Sequence, residues 1–185
     1  MMIEAKYHLS LSALLSKSMD LYGIADEAAR EKMQQDVADF MRLRLKNVLE
    51  SIRYDVLDAV LGDVDDLYAV AQRAAAVEAF VAGKDAEKDI QAFVRVGNLA
   101  KKAGQAAVDA ALFQNDEERA LYAAYEKADK AAAEKLQAED YAGALEAFTQ
   151  LSQPIDAFFD GVMVMDKDEK ISDNRLGLLK SIDTL

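Results

Sequence analysis

The chain has 185 residues, 52% of them hydrophobic, with one proline, eight glycines, one histidine and no cysteine; 22 basic and 34 acidic side chains give a formal net charge of −12. That length accommodates one domain, or one domain with a helical extension, whose core removes roughly two-thirds of the unfolded surface from water. Disulfides, thiolate metal sites and multi-histidine centres are excluded, and the overall charge opposes non-specific attraction to phosphate.

The alanine-rich, proline-poor composition favours helix. Residues 3–22 read as a first helix, carrying Leu11, Leu14, Leu15, Met19 and Tyr22 and ended by Gly23. Residues 26–52 carry Val37, Phe40, Met41, Leu45, Val48, Leu49 and Ile52 at helical spacing, with Asp26 and Glu27 suited to the positive N-terminal end. A short apolar segment, RYDVLDAVLG, closes at Gly62. Asp63, Asp65 and Asp66 open another helix, for which Val64, Leu67, Tyr68, Ala71, Ala75 and Val81 are the expected buried stripe and Gly83 the stop. Asp85 is the expected cap of a helix running to about Ala103, with Ile90, Phe93, Val94, Gly97 and Ala100 on one face. Gly97 inside it costs about 1 kcal/mol against alanine, which a close helix contact or an approaching ligand would explain.

After Gly104, residues 108–114 read as an apolar connector. Asn115 or Asp116 caps a long helix to about Ala138, and Asp140 starts the next, with Tyr141, Leu145, Phe148 and Leu151 inward. Pro154 interrupts it, and Ser152 is the expected cap of a new turn bearing Ile155, Phe158 and Phe159. Val162–Met165 reads as a buried connector, with Phe158, Phe159, Met163 and Met165 all expected to pack. A last helix from about Glu169 carries Ile171, Arg175, Leu178, Leu179 and Ile182 on one face. Short loops between such segments suit an all-α antiparallel bundle. No uninterrupted apolar run of about 18 residues and no signal-peptide pattern is present, so a cytoplasmic location with no membrane partner is expected.

No catalytic set is visible: there is no phosphate-binding glycine loop, no histidine–serine pairing and no cysteine. Asp166, Asp168 and Glu169 start like a calcium loop, but neither the sixth-position glycine nor the twelfth-position glutamate follows, so no metal site is assigned. The basic residues carry more information. No acid stands between Asp89 and Asp109, a stretch holding Arg95, Lys101 and Lys102. Gln91, Arg95, Asn98 and Lys102 fall on one helical face. Two further acid-free runs are Phe40–Leu49, with Arg42, Arg44 and Lys46, and Asn174–Lys180, with Arg175. Such cations either pair with acids on neighbouring helices, worth about 0–1 kcal/mol each, or hold RNA phosphates while asparagines read base edges and aromatic rings stack on unpaired bases.

Several motifs resemble, in order, the C-terminal region of the bacterial glycyl-tRNA synthetase β subunit. They are FMRLRL (Phe40–Leu45), RYDVLDAVLG (Arg53–Gly62), FVRVGNLAKKA (Phe93–Ala103), VDAALFQNDEERALY (Val108–Tyr122) and FFDGVMVMDKDEKISDNRLGLL (Phe158–Leu179). The ordered set covers roughly residues 37–180. Gly97 stands where that family often has alanine, and Lys167 and Lys170 dilute its acidic run.

The resemblance implies a DALR-type anticodon-binding bundle over residues 23–185, preceded by a linker helix over 1–22. It implies binding to the anticodon region of glycine tRNA, with Arg95, Asn98, Lys102 and Lys101, then Asn174 and Arg175, as RNA-binding candidates. For Arg175, on an apolar stripe, a buried acid partner is the competing expectation. The resemblance further implies an α2β2 ligase in which this fragment joins the rest of the β subunit and the α subunit. ATP with magnesium would be used by that full enzyme, and no cofactor by the fragment. The alternative is an acidic helical subunit-docking module that does not read RNA.

Overall fold

The computed structural model describes residues 2–104 and 108–185. Met1 and residues 105–107, the latter inside the acid-free stretch before Asp109, lie outside the described residues. Nine α-helices form among the described residues: α1 (Leu11–Leu21), α2 (Glu27–Val48), α3 (Tyr54–Val60), α4 (Leu67–Val81), α5 (Ala86–Ala100), α6 (Asp116–Gln137), α7 (Tyr141–Thr149), α8 (Ser152–Gly161) and α9 (Glu169–Asp183), with a 3-10 turn at Ala110–Leu112. The only extended pairing among the described residues is an isolated bridge between Ser10 and Asp66. The fold class is all-α, as expected. The contacts divide the chain into Met1–Ala79 and Phe80–Leu185.

In the first unit, α1 starts at Leu11 and not near residue 3. Ser10 is the reason: its hydroxyl accepts the Ala13 N–H, and the Leu11 N–H goes to the Asp65 carbonyl instead of back along the chain. Gly23 ends α1 with φ +70°, donating to Asp20 O while Ile24 N–H donates to Met19 O, a complete left-handed C-terminal cap. Asp26 caps α2 through Ala29 N–H. Asp66 caps α4, accepting from Tyr68 and Ala69 N–H. Leu11, Leu45, Leu57, Leu61, Val64, Leu67, Val70 and Ala74 form the core. On α4 the buried stripe is therefore Leu67, Val70 and Ala74, while Ala75 is exposed and Tyr68 and Ala71 are half-buried. Alanine on nearly every side of this helix leaves its apolar face undefined by sequence.

In the second unit α9 is central, packing along α5 and against α6. Leu176, Leu178, Leu179 and Ile182 meet Val96, Leu121, Leu151, Ile155 and Phe158 in one core. Each fully buried large side chain there contributes about 1.5–3 kcal/mol of transfer free energy. The α6 N-terminus has a capping box, Asn115 with Glu118. Asp140 caps α7 through Gly143 N–H, and α6 and α7 pack as a helical hairpin. Pro154 sits in the first turn of α8, where a missing N–H interrupts no intrahelical bond.

Four local expectations change. Asp85 makes no side-chain cap bond to α5. Ser152 is buried inside the first turn of α8 and does not cap it. Val162 and Val164 are buried while Met163 and Met165 are 78% and 54% exposed; the backbone is extended at Val162 and bends at Val164 and Met165. The inward face of α5 is Ala86, Ala92, Val96 and Ala100, which turns Ile90 and Val94 outward.

Candidate nucleic-acid interface

Placing Ala86, Ala92, Val96 and Ala100 inward leaves Gln91, Arg95, Asn98 and Lys102 exposed on the opposite side of α5 and the turn that follows it. The polar row expected from spacing is therefore a solvent-facing row. Arg95 is partly committed. Its Nη1 lies 3.2 Å from Asp156 Oδ1, and its guanidinium carbon lies 4.4 Å from the centre of the Phe159 ring. Lys88 reaches the same aspartate at 3.9 Å. Asn98, Lys101 and Lys102 are exposed and make no side-chain hydrogen bond or ion pair among the described residues.

The other basic runs are engaged differently. Arg42 pairs with Asp39 at 2.6 Å and donates to the carbonyls of Leu61 and Gly62, closing the end of α3. Lys46 pairs with Asp58 at 2.7 Å. Both cations border a cleft of about 460 Å³ that these same aspartates flank, so its charge is already balanced. Lys180 pairs with Asp183 at 3.0 Å.

Asn174 and Arg175 lie in the interior, 3% and 2% exposed. Asn174 Oδ1 accepts the Asp109 N–H at 2.7 Å and Nδ2 donates to the Asp109 carbonyl at 3.0 Å, pinning the connector before α6. Arg175 donates to Glu118 Oε1, the Met163 carbonyl, Asp166 Oδ2 and Gln114 Oε1. Glu118 Oε2 in turn accepts the N–H groups of Gln114 and Asn115. Burial pushes the Glu118 carboxyl up, but the Arg175 bond and the two backbone N–H bonds outweigh it and hold the group below its ordinary value. Burial likewise lowers the Arg175 pKa, while Glu118 and Asp166 raise it by more. The competing expectation of a buried acid partner for Arg175 is what the geometry realises.

Beside the polar row, α5, α7 and the end of α9 enclose a cleft of about 570 Å³ with walls from Ile90, Phe93, Val94, Leu145, Phe148 and Ile182. Asn98, Lys101 and Asp183 supply its polar edge. Ile90 is 41% and Val94 54% exposed there. Sequence reasoning missed this cleft because it grouped Ile90 and Val94 with Phe93, Gly97 and Ala100 on one apolar face without separating the buried side from the open one. The available signal was Gly97, which adjoins it: a Cβ at Gly97 would stand 3.0 Å from Asp183 Oδ1.

The second unit thus presents Asn98, Lys101 and Lys102, without partners among the described residues, next to an open apolar cleft, and no helix among the described residues is long and apolar enough to cross a membrane. The sequence profile of the DALR anticodon binding domain matches residues 90–185, and the chain belongs to that family. Its relatives include the glycine–tRNA ligase beta subunits of Trichlorobacter lovleyi, 37% identical over 186 residues, Clostridioides difficile, 34% over 184, and Thermodesulfovibrio yellowstonii, 32% over 188. These alignments cover 99%, 98% and 100% of this chain and 27% of each relative. The chain thus spans about a quarter of the length of the curated relatives it matches.

Proposed function

We propose that the unit Phe80–Leu185 recognises the anticodon region of glycine tRNA, acting as the anticodon-binding part of a glycine–tRNA ligase β subunit. The observation that carries this reading is the exposed row on α5, where Asn98, Lys101 and Lys102 have no partner among the described residues, in a chain of the DALR anticodon-binding family. Lysines hold phosphates, and an asparagine has both donor and acceptor for a base edge. Arg95, stacked on Phe159, adds a guanidinium plane with remaining donors. Asn174 and Arg175, being buried, support the site by holding the connector and the approach to α9.

In this reading the ligase is α2β2 and cytoplasmic. The rest of the β subunit and the α subunit are its protein partners, and ATP with magnesium serves the full enzyme's activation of glycine. No residue of this chain is assigned to that chemistry. Family membership supports RNA recognition over a docking role that never touches RNA.

The test is binding of the chain to glycine tRNA and to the same tRNA with an altered anticodon, across a salt series. Preference for the native anticodon is expected. Equal binding of both, or none at low salt, would overturn the reading.

A further inference from the structure

We infer that the cleft between α5, α7 and α9 seats one unstacked cytosine, and that Asp183 is the residue that selects it. This rests on the RNA reading above and adds a place and a specificity residue to it.

The cleft walls are apolar and include the rings of Phe93 and Phe148, which suits the face of a base removed from its stack. Unpaired bases bind single-strand sites by that face and are told apart by their edges. The polar side chains that line the cleft are Asn98, Lys101, Thr149 and Asp183, and Thr149 already donates its hydroxyl to the Glu146 carbonyl. An aspartate offers acceptors only; a lysine offers donors only; an asparagine offers both. Lys180 holds Asp183 Oδ2 at 3.0 Å. The other oxygen, Oδ1, is the one that lies against Gly97, where a Cβ would approach it to 3.0 Å. A glycine at 97 therefore leaves room for this carboxylate to lie against α5 at the cleft.

Cytosine matches the set. Its exocyclic amine donates to a carboxylate, and its adjacent ring nitrogen and carbonyl oxygen accept from Asn98 or Lys101. Uracil places an oxygen where cytosine has the amine, so two acceptors would face each other in an apolar surround, with neither satisfied. Charge agrees with geometry: Lys101 borders the cleft and Lys102 continues the exposed row, both without an acid partner among the described residues, so the flanking phosphates meet cations as the base enters.

The experiment uses the 185-residue chain and anticodon stem-loops of glycine tRNA carrying C, U, A or G at the middle anticodon position and, separately, at the third. Affinities are measured by fluorescence anisotropy at low salt. At one of the two positions the native chain should prefer C over U by roughly ten-fold or more. Asp183→Asn, which replaces an obligate acceptor by a group that can also donate, should bring that ratio close to one. Val94→Glu, at a half-exposed wall position that the fold tolerates, should weaken the cytosine stem-loop with an unchanged unfolding midpoint. If Asp183→Asn and Val94→Glu both leave affinity and the C-over-U ratio intact, the cleft assignment is overturned and the RNA reading stands. If the unmodified chain binds no stem-loop, both are overturned.

Discussion

Arg175 Nε meets Glu118 Oε1 at 2.8 Å, 57 positions away in sequence, and the two side chains are 3% and 0% exposed. This pair ties α9 to the first turn of α6, and through Asp166 and the Met163 carbonyl it also ties down the segment that leads into α9. Removing one partner leaves the other charge buried. Arg175→Met should therefore cost about 3–5 kcal/mol in urea unfolding. The double variant Glu118→Leu/Arg175→Met should recover much of that loss, since the only carboxylate then left without Arg175, Asp166, is 33% exposed and no fully buried charge is stranded. A double variant no more stable than the single one would mean that the backbone bonds of Glu118, and not its charge pairing, dominate.

The same pair gives a pH signature. Glu118 is held below its ordinary value despite burial, by Arg175 and two backbone N–H groups. Asp166 is also held low, first by the Asp168 N–H and then by Arg175. A carboxyl with a lower pKa folded than unfolded contributes stability fully above the unfolded value, about 4.3 for glutamate, and loses it as pH falls through the folded value. Glu118→Gln should be less stable than the native chain at pH 7, and the gap should narrow on acidification below about pH 4.3. Chemical unfolding at stepped pH measures this; a gap that stays constant would show that Glu118 is not ionised in the native state.

The helix order, the caps at Asp26, Asp66 and Asp140 and the outward row on α5 were legible because each is local. A cap needs one acid a few residues ahead of free N–H groups, and a helical face needs only periodic spacing. The stripe of α4 and the inward face of α5 were not, because alanine fills an interior contact as readily as a surface position and marks neither. Ile90 and Val94 grouped with Ala100 on one apolar face for that reason. Met163 and Met165 looked like core because an apolar run does not show which of its side chains face inward. The destination of Arg175 was open in sequence, since pairing with Glu118 is a tertiary event between helices far apart in the chain.

Salt dependence separates the lysines of α5 from Arg95. Lys101 and Lys102 have no acid to leave, so each can neutralise a phosphate outright. Replacing either with alanine should weaken every tRNA alike and flatten the log–log salt slope by about 0.7. Arg95→Ala should change the slope less, because Asp156 already shares its charge. Titrations of the native chain and the three variants over a salt series decide the order; an Arg95 effect on slope larger than that of either lysine would contradict it.

Asn174 satisfies both backbone groups of Asp109 with one side chain. Asn174→Ala should destabilise the second unit by roughly 1–3 kcal/mol, the desolvation cost of polar groups left unpaired. Hydrogen exchange should speed up first at Asp109 and the following turn. If Asn174 instead touched RNA alone, stability would be unchanged and only binding would fall.

Gly97 sets two effects against each other. Alanine in a helix interior is favoured over glycine by about 0.8–1.0 kcal/mol. Against that, the added Cβ would sit 3.0 Å from Asp183 Oδ1, closer than side-chain contacts normally come. The atom it meets is the end of a side chain that is 33% exposed and near the end of α9, so the carboxylate can swing away while the helices stay in place. Gly97→Ala should therefore raise the thermal midpoint slightly, by an amount worth somewhat less than 1 kcal/mol. If the carboxylate is needed where Gly97 lets it lie, the same variant should lose discrimination between cytosine and uracil stem-loops. A variant that is destabilised instead would mean that α5 and α9 must separate to admit the methyl group, and that glycine at 97 serves packing before recognition.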